Sequence, residues 1–303
     1  MGAGGGVTDV GVGGASEPAP TVPVPNVGGG GQSSSGGQAG EGQGGAGGAG
    51  GAPGPEVPKL LRVLSYSLIG ELRQEGWPVC EPAGEPCDYT IKQTAPGYEH
   101  VSIPDGNEML KRLAMKHQFE LTLYEGDMRD QVVQEFTLDK LSTYQAVVFN
   151  NPNGMGLTEA EREAFKSYIN QGGGYVGIHA GINCENNWPW FHDFVGAFEV
   201  GVVGVTEEML AVSPGVSTEH LPPTWLVLDE WHKHTRSVDT QPNVTVLLRR
   251  AGFPVAWHRE QDGGRMWYTG LGHVPATFTN PDFEEHVWGG IRWAARLPTV
   301  PLK

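Results

Sequence analysis

Lysine and arginine are missing from the first 58 positions, which also lack almost every large apolar side chain yet hold 22 of the 46 glycines. A stretch that runs through GGGGQSSSGGQAGEGQGGAGGAGGAPG cannot bury enough surface to offset its ordering entropy. It reads as a disordered Gly/Ser/Pro-rich tether over residues 1–58, followed by one domain over 59–303. Long apolar runs are also lacking. None approaches the ~20 residues that cross a bilayer, and the N-terminus has neither a basic nor an apolar signal region. Cationic charge is scarce: 20 Lys and Arg face 35 Asp and Glu, and four of those acids lie in the tether, so the domain carries −11. Such a domain gains nothing from counterion release on nucleic acid and is repelled by anionic lipid. A small neutral or cationic ligand remains, and a homo-oligomer stays open.

Cysteine is nearly absent too, with three in 303 residues. Cys80 and Cys87 flank CEPAGEPC, a short loop that a disulfide could close, and that pairing suits an oxidising compartment. A Gly-rich tether is also what remains when a lipoprotein or secretory signal is trimmed off or lies upstream. Both features favour a periplasmic or extracellular location over a cytoplasmic one.

What is present has the rhythm of an α/β domain. LLRVLSY at Leu60 to Tyr66 is a buried strand, and residues 70–99 form a long loop. A helix begins at Pro104 with Met109, Leu110, Leu113 and Ala114 inward; strands follow at Phe119 to Tyr124 and Ala146 to Phe149. Thr158 and Glu161 make a capping box for a helix that buries Ala164, Phe165, Tyr168 and Ile169, and Gly172 to Gly174 separate it from a strand at Tyr175 to Ile178. Further strands fall at 202–205, 209–212, 226–228, 244–248, 255–257 and 266–271, and a last helix starts at Asn280 and Pro281. This alternation predicts a doubly wound, mostly parallel sheet with helices on both faces and an antiparallel excursion around 200–250.

Open parallel sheets bind ligands beyond the carboxyl ends of their strands. Three histidines fall there: His179 in GGGYVGIHAG, His273 in GRMWYTGLGH and His100 in GYEHVSIPDG. Gly177-Ile178-His179-Ala180-Gly181 has the form of a nucleophile elbow, but it presents an imidazole, so Ser or Cys acyl transfer is disfavoured. Close helix packing is the bland explanation of the same glycines. Cys184, five residues on, cannot take the tip without remaking the turn.

With these segments in place the chain resembles the ThuA-like (trehalose utilisation) family, a branch of the flavodoxin-like, class I glutamine amidotransferase-like fold. The resemblance spans about 60–297 and is carried by GYEHVSIP, by YQAVVFNN with LTEAEREAFKSYINQGGGYVGIHAG, by WPWFHDFVGAF, by LDEWH and above all by PVAWHREQDGGRMWYTGLGHVPATFTNPDFEEHVWGGIRWAA. It implies a three-layer fold, a carbohydrate substrate such as a disaccharide or 3-keto-glycoside, and His179 in place of the amidotransferase Cys. It also puts His273 where that superfamily keeps its catalytic His, which disfavours glutamine hydrolysis. The chain departs from the family in the 70–99 insertion, in His232 after the DEW element, and in EVGVVGVTEEMLAVSPG, which lacks a His-Pro.

Two chemistries stay open for His100, His179 and His273 with Asp229 and Glu230. The three imidazoles could ligate a divalent metal such as zinc. Alternatively, His179, His273, Glu230 and Asp229 could move protons without metal. Trp188, Trp190, Trp231 and Trp257, with His100, His232 and Arg259, are the candidate sugar contacts, since indole faces stack on pyranose rings. Each Trp is equally a core candidate. A non-catalytic sugar-binding or accessory module, tethered near a partner enzyme, is the competing class.

Overall fold

A computed structural model describes residues 60–70, 97–98, 100–127, 135–152, 156–185, 187–235 and 237–298. The tether and the Cys80/Cys87 pair lie outside the described residues. Among the described residues, ten strands form a single sheet. Its centre is parallel: β1 (Arg62–Gly70) pairs on one side with β3 (Glu120–Asp127) and on the other with β4 (Ala146–Asn150), β4 with β5 (Gly174–Ile178), and β5 with β10 (Gly264–Thr269). Chain order runs outward from β1 to β3 and then returns to β4. That reversal opens a crevice at the strands' carboxyl ends.

Alternate side chains of these strands enter two cores. Val63, Val148 and Val176 face the helices α1 (Ile103–His117) and α5 (Pro281–Ala294), meeting Met109, Leu110 and Leu113 from the first and Phe283, Val287 and Ile291 from the second. Leu64, Val147 and Tyr175 face α3 (Glu159–Asn170) and α4 (Pro189–Val195), meeting Phe165, Tyr168, Phe191 and Phe194. Burial on both faces explains why the strands read as continuous apolar runs. Truncating a fully buried ring such as Phe165 to Ala removes about 3–5 kcal/mol. The capping box of α3 is formed as expected: the Thr158 hydroxyl accepts from the Glu161 amide, and the Glu161 carboxylate accepts from the Thr158 amide at 2.7 Å. Two helices escaped the periodicity reading: the single turn α2 (Leu138–Leu141), and α4, whose seven residues are too few to show a period.

The expectation of a mostly parallel sheet is corrected. The strand β2 (Gly97–Tyr98) with β6 (Glu199–Val212), β7 (Thr224–His234), β8 (Val244–Arg250) and β9 (Phe253–Gln261) make only antiparallel pairs, and β9 adds antiparallel to β10. The physical reason lies in the connections. Ala251-Gly252 and Asp262-Gly263 are two-residue links with positive φ at both positions, 46° and 88° in the first, 52° and 86° in the second. Such turns close hairpins and are far too short for a parallel crossover. The segments 202–205 and 209–212 are one strand, β6, whose register against β7 shifts between Glu199 and Gly201 and between Val202 and Val205. Among the described residues, the β6–β7 ribbon pairs with the rest of the sheet only through Leu210, Ala211 and Val212, against Leu248 to Arg250 of β8. Trp225, Val227, Asp229 and Trp231 of β7 are buried, while Leu226 and Leu228 on the opposite face are half exposed. Among the described residues, no helix is long and apolar enough to cross a membrane.

Candidate active site

The parallel strands deliver the site. After β5 the chain turns at His179, whose φ of 48° is the left-handed conformation a strained strand-to-helix elbow needs. A Cβ at Gly181 would stand 2.9 Å from the Phe149 carbonyl oxygen, so the 3-10 turn His179–Ile182 can lie this close to β4 only with glycine there. After β4, Asn151 is also left-handed, at 54°. Its side chain accepts from the Ala180 amide and donates to Ser102 Oγ and the Gly272 carbonyl, while Ser102 Oγ donates to the same carbonyl at 2.8 Å. Asn151 thus ties the ends of β4, β5 and β10 to the start of α1.

His179 is fully buried, with Nδ1 donating to the Gly270 carbonyl at 2.9 Å and Nε2 turned toward two neighbours. His273 Nδ1 lies 3.2 Å from that Nε2, and Glu230 Oε2 lies 3.5 Å from it and 3.4 Å from His273 Nδ1. His100 stands edge-on to both rings, with centroids 5.1 and 5.7 Å away. His232 packs on His179 at 4.2 Å and places Nε2 3.7 Å from Glu230 Oε2 and 4.0 Å from Glu199. The Tyr268 hydroxyl donates to the His179 carbonyl and so accepts from His232 Nδ1 at 3.3 Å. His100, His179, His273 and Glu230, read from sequence as one cluster, come together; His232 joins them.

Electrostatics divides the group. Burial, reinforced by the neighbouring His179, pushes His100 well below the ordinary histidine value, lowers His273 and brings His232 down to about 3. Burial alone would raise Glu230, but the imidazoles of His179, His232 and His273 beside it outweigh burial and hold the carboxyl well below its usual range. The cluster is therefore a carboxylate beside three imidazoles, His100, His232 and His273, whose burial opposes their carrying charge.

The remaining expected contacts divide. Asp229 does not face the cluster: it is fully buried, and its carboxylate accepts from the amides of Glu230, Gly272 and His273 and from the Thr277 hydroxyl. Trp188 packs on Phe191 in the core, Trp190 donates to Asp262 at the surface, and fully buried Trp257 donates to the Val195 carbonyl. Arg259 is buried against the Asp193 carbonyl and Gln261. None of these four lines the large cavity. That cavity, about 660 Å³, borders the cluster through Glu230 and His232 and is walled by Trp231, His234, Arg250 and Phe253. Asn151, Tyr268 and Glu199 were not anticipated from the sequence. Asn151 has a legible signal, as a polar residue immediately after a buried strand. Glu199 has none, because the ribbon that places it is visible only in three dimensions; Tyr268 lies on a strand read from the sequence, but its bond to the His179 carbonyl is a contact made only in the fold.

The family model described as ThuA, trehalose utilisation, matches residues 89–294. No curated protein matches the chain. Among solved structures, a ThuA-like protein of Bacteroides uniformis is 22% identical with a TM-score of 0.58, over 80% of this chain and 95% of that one. A ThuA-like protein of Parabacteroides merdae is 18% identical with a TM-score of 0.59, over 80% and 93%. A cytoplasmic protein of Salmonella typhimurium is 13% identical with a TM-score of 0.50, over 77% and 99%. At these identities the likeness is one of fold.

Proposed function

The chain belongs to the ThuA, trehalose utilisation, family, and from that membership we propose that it acts on a disaccharide or an oxidised, 3-keto glycoside through His and carboxylate chemistry at the strand ends. The observation that carries the reading is the convergence of His179, His273 and Glu230 within 3.5 Å of one another, beside a cavity of disaccharide scale. Trp231 and Phe253 supply flat apolar faces in the cavity wall, and Glu230 and Arg250 supply groups for sugar hydroxyls.

A 3-keto glycoside suits this equipment. Its C2 proton is acidified by the adjacent ketone, so a neutral imidazole can remove it while the aglycone oxygen leaves from C1 and takes up a proton. Neutral imidazoles are what burial produces here, and among the described residues His100 Nδ1 has no hydrogen-bond partner, which leaves it available as the acceptor. The elbow offers no hydroxyl or thiol, so an acyl-enzyme route has no nucleophile at its tip. Incubation with trehalose and with 3-keto-disaccharides, following product release, tests the reading. Turnover abolished in His179→Ala supports it. Sugar binding with no turnover, unchanged in His179→Ala, would favour a non-catalytic accessory module.

A further inference from the structure

The geometry points to a divalent ion of the zinc class held by His179 Nε2, His273 Nδ1 and Glu230 Oε2, with a fourth position open to water or a substrate oxygen. The three donor atoms form a triangle with edges of 3.2, 3.5 and 3.4 Å. Ligands about 2.0–2.1 Å from a tetrahedral ion stand roughly 3.3–3.4 Å apart, which is the face of the polyhedron seen here. Hydrogen-bonded nitrogen and oxygen atoms sit closer, at about 2.7–3.2 Å. Two of the three edges are therefore long for hydrogen bonds and right for shared ligation.

Tautomers give a second, independent argument. His179 Nδ1 donates to the Gly270 carbonyl, so its Nε2 carries a lone pair. Tyr268 donates to the His179 carbonyl, so His232 Nδ1 carries a proton and its Nε2 also carries a lone pair. Both lone pairs face the Glu230 carboxylate, at 3.5 and 3.7 Å. Lone pairs and a carboxylate oxygen repel in a buried site unless positive charge lies between them. A proton on His273 Nδ1 can be directed at only one of these acceptors, whereas an ion above the triangle serves three donors at once. A ligating imidazole whose outer N–H is fixed by a carbonyl, as His179 is by Gly270, is the usual support of such a ligand.

His100 completes the case. One of its ring nitrogens lies within 4.8 Å of those of His179 and His273, and its Nδ1 is buried with no hydrogen-bond partner among the described residues. Water on the open fourth position would give that nitrogen a partner. Two imidazoles and one carboxylate favour zinc, with cobalt as a spectroscopic stand-in, over magnesium or calcium. Such an ion is independent of which substrate the site takes; in the sugar reading it would polarise the ketone oxygen as a Lewis acid.

The test uses the full chain, stripped with chelator and dialysed, then titrated with zinc alone and with cobalt(II) alone. The expected result is one ion per chain by elemental analysis and the visible absorption of four-coordinate cobalt. Affinity falls about 100-fold or more in His179→Ala, His273→Ala and Glu230→Gln. Glu230→Gln keeps the side-chain shape, and circular dichroism verifies that each variant is folded. No retained ion, or zinc affinity and cobalt spectrum unchanged in both Glu230→Gln and His273→Ala, would overturn the site. Neither readout involves sugar, so its failure is distinguishable from failure of the carbohydrate reading.

Discussion

The carboxylates of Asp229 and Glu230, neighbours on β7, point to opposite faces of the strand: Glu230 toward His179 and His273, Asp229 onto the amides of Gly272 and His273. One meets the cluster, the other holds the loop that carries His273. Their substitutions should separate accordingly. Asp229→Ala strands several buried donors and is expected to cost about 2–4 kcal/mol in urea unfolding. Glu230→Gln, at the margin of the cavity, is expected within about 1 kcal/mol of the parent while losing activity.

Removing an imidazole should reduce the chemical step more than binding. His179→Ala and His273→Ala are expected to lower kcat on a 3-keto-disaccharide by about 10²- to 10⁴-fold with little change in KM. Steady-state kinetics on both variants checks this. A loss confined to KM would place the two rings in binding alone.

The elbow should be intolerant of one methyl group. Gly181→Ala puts a Cβ against the Phe149 carbonyl oxygen at 2.9 Å, and backbone cannot yield there as a flexible side chain would. A cost of about 1–3 kcal/mol in stability is expected. Activity should fall further than stability, because the displaced turn carries His179. Thermal unfolding and turnover measured on the same sample separate the two effects.

Acid should destabilise the fold before it reaches the carboxylates. His286, donating to the Ser217 carbonyl, and His234, packed edge-on to Trp257, are lowered by burial to about 3 and about 4. An unfolded histidine titrates near 6.5. Above that pH neither state binds the proton and the contribution is complete. Between pH 6.5 and about 4 the unfolded chain binds more protons, so stability falls as pH falls, by at most ~1.4 kcal/mol per pH unit for each histidine. Urea midpoints across pH 4–8 should show this slope, and it should flatten in His286→Phe.

The site was legible in the sequence where it depends on position along a strand. His179 and His273 each follow a strand of the parallel centre, His100 lies in the connection from β1 to α1 just after the short antiparallel β2, and the flanking glycines of the elbow mark His179 as the presented residue. The capping box at Thr158 was legible because it is a contact across three residues. The antiparallel half was less so: the Asp262-Gly263 hairpin signal is local and present in QDGG, but the length of β6 is hidden by Thr206-Glu207-Glu208, which split it into two apolar runs. Tryptophan gave little guidance, because Trp188 and Trp257 fill the core with the same indole face that would serve a sugar. Asp229 and Glu230 are chemically alike, and only the pleat of β7 assigns them different tasks.

Glu230 and His232 reach the cluster on a ribbon that shares just three residue pairs with the rest of the sheet, well away from the catalytic end. At that end, contact with the parallel centre runs through the Asp229 carboxylate and the loop amides it holds, and through Glu230 and His232 against His179, His273 and Tyr268. The outer half of β7 and the loop that carries His273 are therefore held to each other by side chains, not by backbone pairing. Amide hydrogen exchange should register this seam: protection at Gly272 and His273 and protection along the outer half of β7 should be lost together, with one opening free energy, and both should drop in Asp229→Ala while the exchange of β4 and β5 stays slow.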